Sequence, residues 1–227
     1  MSLIKSIAFD LDDTLVDTSG LLVPLASQRA CEAMINAGVC CSLEECMAMR
    51  HDLASNLSHT EIFTQIAHRF GSNQNSKAVH DALEEFYNPE VPAVLPLLAG
   101  ATDNLLALKE RYNLYLVTMG SFDAQVEKIR ALQIEKFFKK IYILNGFIGE
   151  KKELAFREIL KDEGHQPTEL LSIGNRLSSE IRDAKRIGSA TCYFAHGEHI
   201  GEIPQFPEDH PDFTIQHHKD LITVCGL

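Results

Sequence analysis

The sequence predicts an α/β protein: a parallel sheet covered by helices on both faces, with an all-helical block set into it. Three observations predict this. Beyond residue 102, short apolar runs alternate with segments of helical periodicity, the signature of successive β–α units. From about residue 18 to 91 the helical period continues without a strand. A first short strand at residues 4–9, with the apolar run Ile7 to Phe9, stands alone before that block, so the block reads as an insertion after the first strand of the sheet.

The elements follow in order. Residues 4–9 form a short strand whose apolar run, Ile7 to Phe9, leads straight into Asp10, as expected of a core strand. A helix over roughly 20–37 stops at Gly38. Ser42 with Glu45, and Ser58 with Glu61, have capping-box spacing. Behind the first box, Cys46, Met47, Arg50 and Leu53 recur at helical spacing; behind the second, Ile62, Ile66 and Phe70 do so, and Gly71 suits the stop. Ser76 opens a further segment carrying Val79, Leu83 and Phe86. Val91-Pro-Ala-Val-Leu-Pro96 breaks the pattern. Strands are then expected at 114–118, 141–144, 170–174 and 191–195, with a sixth, edge strand at 213–216. Helices lie between them near 103–110, 122–132, 152–163 and 178–187, with Gly164 and Gly188 at C-terminal caps. The boundaries drawn from this reading are a core of 1–16 and 97–227 and a helical domain of 17–96.

Composition narrows the function classes. The chain has 227 residues, 45% of them hydrophobic, enough to bury a sizeable core. Its net charge of −11 disfavours nucleic acid and anionic membrane as partners, because no local basic patch reverses it. No apolar run approaches the ~20 residues of a transmembrane helix, and the N-terminus lacks the pattern of a secretory signal. The six cysteines include no Cys-x-x-Cys pair. They read as reduced thiols packed as small apolar groups in a cytoplasmic protein. His196-Gly-Glu-His199 and His217-His218 are expected to be exposed side chains.

In open parallel sheets, ligands collect at the carboxyl ends of the strands. Those ends carry the chemistry here. The first strand runs into Asp10, Asp12 and Asp13. An EF-hand loop counted from Asp10 would need Gly and Glu where Leu15 and Leu21 stand, so these acids belong to another chemistry. The second strand ends Thr118-Met-Gly120, a hydroxyl followed by backbone N–H groups suited to a phosphate. After the third comes Lys151-Lys152 at a helix entrance, an unfavourable place for a cation unless it has a task. The fourth ends Gly174-Asn-Arg-Leu-Ser-Ser-Glu180. Acids, hydroxyl, cation, then amide with acid: a merely solvated set of loops does not predict that order.

This pattern resembles the haloacid dehalogenase-like superfamily, in its phosphatase branch. Phe9-Asp-Leu-Asp-Asp-Thr-Leu15 carries the resemblance most specifically, Val117-Thr-Met-Gly120 matches a second motif, and the lysine pair and the Ile173–Ile181 stretch match the others in shape. The family usually has Asp where this chain has Asn175 and Glu180. The resemblance implies a Rossmann-like core with a helical cap domain that closes over the site and selects the substrate. It implies a hydrolase of a small phosphorylated metabolite with Mg²⁺ as cofactor, Asp10 as nucleophile forming an aspartyl phosphate, and Asp12 as general acid and then base. Lys151, favoured over Lys152, would balance charge. Thr118, Met119 and Gly120 would hold the phosphoryl oxygens, and Asp10, Asp12 and Asn175 would bind the metal. A sugar-phosphate mutase and a silent phosphate-binding protein remain the alternatives. The dehalogenase branch is disfavoured, since its chemistry has no use for an acid at Asp12.

Overall fold

The computed structural model describes residues 3–54, 57–71 and 75–227, with Phe147 described by its backbone alone. In chain order the elements are β1 (Ser6–Phe9), then α1 (Thr18–Leu21), α2 (Val23–Asn36), α3 (Leu43–Leu53), α4 (His59–Phe70) and α5 (Asn75–Tyr87). There follow α6 (Ala101–Lys109), β2 (Asn113–Met119), α7 (Phe122–Leu132), β3 (Lys140–Leu144), α8 (Lys152–Glu163), β4 (Leu170–Gly174), α9 (Arg182–Arg186), β5 (Ala190–Phe194), β6 (Phe213–Ile215) and α10 (Leu221–Cys225). The chain divides into two compact units, Met1–Asp17 with Pro92–Leu227, and Thr18–Val91. The boundaries expected from sequence fall at 16/17 and 96/97.

The first unit is a six-stranded sheet in the order β3-β2-β1-β4-β5-β6, every neighbouring pair parallel. This is the expected α/β, Rossmann-like arrangement, with β6 at the edge. All four residues of β1 and all five of β4 are buried, in keeping with their largely apolar make-up, in which Ser6 and Ser172 are the polar members. Under one face, Ala8, Tyr115, Val117 and Tyr142 pack with Ala155, Phe156, Ile159 and Leu160 of α8 and Ala184 of α9. β1 is central. From it the chain builds outward to β2 and β3 on one side, then returns to build β4, β5 and β6 on the other. The carboxyl end of β1 is therefore the point where strand order reverses, the place where such sheets open a crevice.

The second unit is helical. Ala30, Cys31, Met34, Cys46, Ile62, Phe63, Ile66, Ala78 and Ala82 form its core. The starts of α3 and α4 are capped as the sequence predicts. The Ser42 hydroxyl accepts from Glu45 N at 3.2 Å while Ser42 N donates to the Glu45 carboxylate at 2.8 Å. Ser58 and Glu61 repeat the exchange at 3.3 and 2.9 Å. These reciprocal bonds satisfy N–H groups that a helix start otherwise leaves open.

Candidate active site

The ladder between β1 and β4 continues one residue past the strand, since Asp10 N donates to Ile173 O at 2.9 Å. That bond fixes the Asp10 backbone beside the tip of β4. Its side chain is only 6% exposed. One carboxylate oxygen, Oδ1, accepts from Lys152 Nζ at 2.5 Å, and the Thr14 hydroxyl stands 3.5 Å from the other. Lys152 Nζ also meets Glu180 Oε1 at 2.5 Å. The second oxygen of Glu180 accepts from Arg176 N at 2.9 Å. Two buried carboxylates thus share one buried ammonium.

Burial dominates the electrostatics. It pushes the Asp10 carboxyl up to about 7; Lys152 opposes the rise, and Glu180 and Asp12 add to it. Burial also disfavours the charge on Lys152, but Asp10 and Glu180 outweigh it and hold the ammonium above its ordinary value. Glu180 is held below the usual carboxylate range because Lys152 more than offsets its burial. Of the two acids, Asp10 is the one that gains most from an additional cation.

The lysine that meets Asp10 is Lys152, whereas the sequence favoured Lys151. Lys151 is the exposed N-cap of α8 with an extended backbone, whereas Lys152 is the first helical residue and is 2% exposed. Helix phase decides between them. Residue 152 lies three and four residues before Ala155 and Phe156, and seven and eight before Ile159 and Leu160, so it joins the buried stripe of α8. Lys151 falls one step off that stripe.

The tip of β4 is shaped for Glu180. A Cβ on Gly174 would stand 2.2 Å from Glu180 Cγ, so only glycine lets this side chain lie across the strand end. Glu180 sits in a single π-helical turn, Leu177–Ile181, ahead of α9, where one continuous helix over 178–187 is expected. Such turns insert an extra residue and redirect side chains. Asn175 is buried, and its Nδ2 donates to His196 O at 3.3 Å, which leaves its amide oxygen as the donor it can offer a cation.

On the other side of β1, Asp12 leaves the strand geometry and bridges to Val16. Its carboxylate is held by two residues that the sequence reading missed. Lys128 Nζ lies 2.7 Å from Oδ1, and Gln125 Nε2 donates to Oδ2 at 2.8 Å. Both are buried residues on α7. The signal was available: 125, 128, 129 and 132 share one helical face, so two polar residues stand on an otherwise apolar stripe. Thr118 is fully buried, with its hydroxyl 2.9 Å from Gln125 Nε2. Gly120 does not offer an amide to a ligand, because its N–H donates to Leu144 O at 3.0 Å as part of the sheet edge.

His218 is also a correction. It is buried, with Nε2 donating to Thr14 O at 2.7 Å and Nδ1 3.3 Å from Asn104 Nδ2. A tail histidine thereby supports the loop that follows Asp10. His196 is half-buried and contacts Asp17 at 3.2 Å. Asp13, Asp17 and His196 bring ligand-type atoms within 4.8 Å of one another, a set separate from Asp10, Asp12 and Asn175.

The donor chemistry of that latter set, a carboxylate, a backbone carbonyl and an amide oxygen, suits a hard divalent cation. The upward pressure on Asp10 is what such a cation would relieve. Among the described residues, no helix is long and apolar enough to cross a membrane.

Known proteins share this architecture. The family model described as Haloacid dehalogenase-like hydrolase matches residues 7–194. The chain is 36% identical over 203 residues to the glyceraldehyde 3-phosphate phosphatase of Pyrococcus abyssi, covering 86% of this chain and 83% of that protein. It is 32% identical over 231 residues to the enzyme of the same name from Pyrococcus furiosus, covering 99% and 94%. Among solved structures, the magnesium-bound HAD-hydrolase YfnB of Bacillus subtilis superposes with a TM-score of 0.69 at 18% identity, covering 99% of both chains. The haloacid dehalogenase-like protein SP0104 of Streptococcus pneumoniae does so with a TM-score of 0.69 at 21% identity, covering 98% and 99%. At those identities the two structures speak for the fold.

Proposed function

We infer that this chain, which belongs to the haloacid dehalogenase-like hydrolases, is a magnesium-dependent phosphatase of a small phosphorylated metabolite acting through an aspartyl phosphate on Asp10. The observation that carries this reading is the buried Asp10 at the reversal point of the sheet, paired with Lys152. The names of the relatives make glyceraldehyde 3-phosphate the first substrate to try.

In this reading the phosphate ester lies between Asp10, Thr118 and Lys152. Lys152 on Oδ1 of Asp10 leaves Oδ2 to attack phosphorus in line. The P–O bond to the substrate alcohol breaks, and Asp12 supplies the proton that alcohol needs. Water then attacks the acyl phosphate, Asp12 takes its proton, and inorganic phosphate leaves with the Asp10 carboxylate restored. Thr118, with the backbone at Met119, binds phosphoryl oxygens, and the buried Lys152 ammonium offsets their charge. Asp10, the Asp12 carbonyl and Asn175 would hold magnesium, which would supply positive charge to offset that of the anionic ester and nucleophile. Asn175 would contribute an oxygen without charge, so the cation would be bound less tightly than by an aspartate there. The helical unit Thr18–Val91 is assigned the role of a cap that selects the ester. The six free cysteines suit a reducing compartment, and we place the protein in the cytoplasm.

A panel of phosphorylated metabolites assayed with Mg²⁺ and with EDTA tests this. Phosphate release that requires the metal, fastest among triose phosphates, is expected. No release from any ester would overturn the reading. Conversion of one sugar phosphate into its isomer without phosphate release would replace it with a mutase.

A further inference from the structure

We propose that Gln125 and Lys128 are positioning residues that hold the Asp12 carboxylate in one orientation and tie it to the phosphoryl-binding side of the site at Thr118. The proposal rests on Asp12 being the group that exchanges protons with the leaving alcohol and with water.

Both residues come from one face of α7 and are almost wholly buried. A buried ammonium or amide is costly unless partnered, so each placement needs a reason. Lys128 reaches one oxygen of Asp12 and Gln125 the other, at 2.7 and 2.8 Å. With a separate donor on each oxygen, turning the carboxylate breaks at least one bond.

Gln125 is also the node between the two sides of the site. Its Nε2 lies 2.9 Å from Thr118 Oγ1 and 3.1 Å from Met119 O as well as against Asp12. An amide nitrogen carries two hydrogens, so three acceptors compete for it, and a shift at Thr118 is felt at Asp12. Folding alone does not ask for this amide. Its Oε1 is buried with no hydrogen-bond partner among the described residues, a loss of about 1–3 kcal/mol that an apolar residue of the same shape would avoid.

Gly120 gains a role in the same arrangement. A Cβ there would stand 3.0 Å from Gln125 Nε2 and 3.4 Å from Cδ. The glycine after Thr118-Met119 leaves room for the glutamine to cross to Asp12.

The test separates orientation of the proton donor from general damage. Wild type, Lys128→Met, Gln125→Met and Asp12→Asn are assayed with Mg²⁺ on an alkyl phosphate and on p-nitrophenyl phosphate, whose leaving group needs little help from an acid. Circular dichroism melts accompany each protein. Lys128→Met and Gln125→Met are expected to lower the alkyl-to-aryl ratio of kcat/KM by about 10- to 100-fold, within the range a positioned acid supplies. Adding Lys128→Met to Asp12→Asn should lower that ratio no further. If Lys128→Met fails to fold, Gln125→Met carries the same expected split. Equal losses on both esters, or none, overturn the proposal while leaving the phosphatase reading intact. A wild type that hydrolyses neither ester overturns that reading, and this proposal with it.

Discussion

The two units of the chain solve the problem of burial in opposite ways. The helical unit buries Ala30, Cys31, Met34, Ile62, Phe63 and Ile66 and satisfies its polar helix ends at the surface, through Ser42 with Glu45 and Ser58 with Glu61. The sheet unit buries charge. Asp10, Lys152 and Glu180 are each nearly inaccessible and complete one another, and Lys128 does the same for Asp12. Apolar burial is favourable by itself. Buried ion sets roughly break even at best and become costly when one member is lost. The difference teaches that the strand tips are arranged for chemistry and the helical core for cohesion.

Removing the shared cation should have the largest effect. Lys152→Met leaves Asp10 and Glu180 buried without their ammonium, and is expected to destabilise the protein by about 3–5 kcal/mol and abolish turnover. The neighbouring Lys151→Met should change stability by less than about 0.5 kcal/mol, as for other exposed sites. Denaturant melts and a phosphate-release assay read both. Equal effects from the two substitutions would break the comparison at its centre.

In the helical unit the cost should come from lost volume. Phe63 is fully buried, and Phe63→Ala is expected to cost about 3–5 kcal/mol through the cavity it leaves. A loss below about 1 kcal/mol would mean that this core is not packed as described.

Acid should act on the sheet unit through His218. Burial holds this imidazole below its ordinary value, the bond to Thr14 opposing in part. The unfolded chain therefore takes up the proton first as pH falls below about 6.5. Stability is fully present above that value and drops, by at most about 1.4 kcal/mol per pH unit, until the folded protein is protonated too. His218→Gln should remove that part of the slope in melts collected from pH 7.5 to 5. An unchanged slope would place the acid sensitivity elsewhere.

The smallest effect is at the caps. Ser58→Ala removes one acceptor of a capping box and should cost about 1 kcal/mol, read as a modest shift in denaturation midpoint with activity kept.

The sheet was legible because buried parallel strands are short apolar runs, and the capping boxes because their geometry is local: Ser42 and Glu45 need only each other. Asp10, Thr118 and Asn175 could be placed at strand tips because strand ends are visible in sequence. What was hidden depends on contact across the chain. Lys151 and Lys152 are equivalent until the start of α8 fixes which one joins the stripe of Ala155 and Phe156. Gln125 and Lys128 look like ordinary polar helix residues until α7 is brought to Asp12, more than a hundred residues away in sequence. His218 looks like a solvated tail residue until Thr14 and Asn104 close around it. Gly120 looks like an anion-binding turn until its N–H is seen bonded to Leu144 and its open side filled by Gln125.

The central claim is that Asp10 is transiently phosphorylated. Acid-quenching the enzyme within milliseconds of adding a turned-over ester and Mg²⁺, then mapping peptides by mass spectrometry, tests it directly. The account predicts one phosphoryl group on the peptide containing Asp10, absent with EDTA and absent in Asp10→Asn, which should also release no phosphate. Wild-type phosphate release by Asp10→Asn, or turnover in which the label is found on another residue, would contradict it.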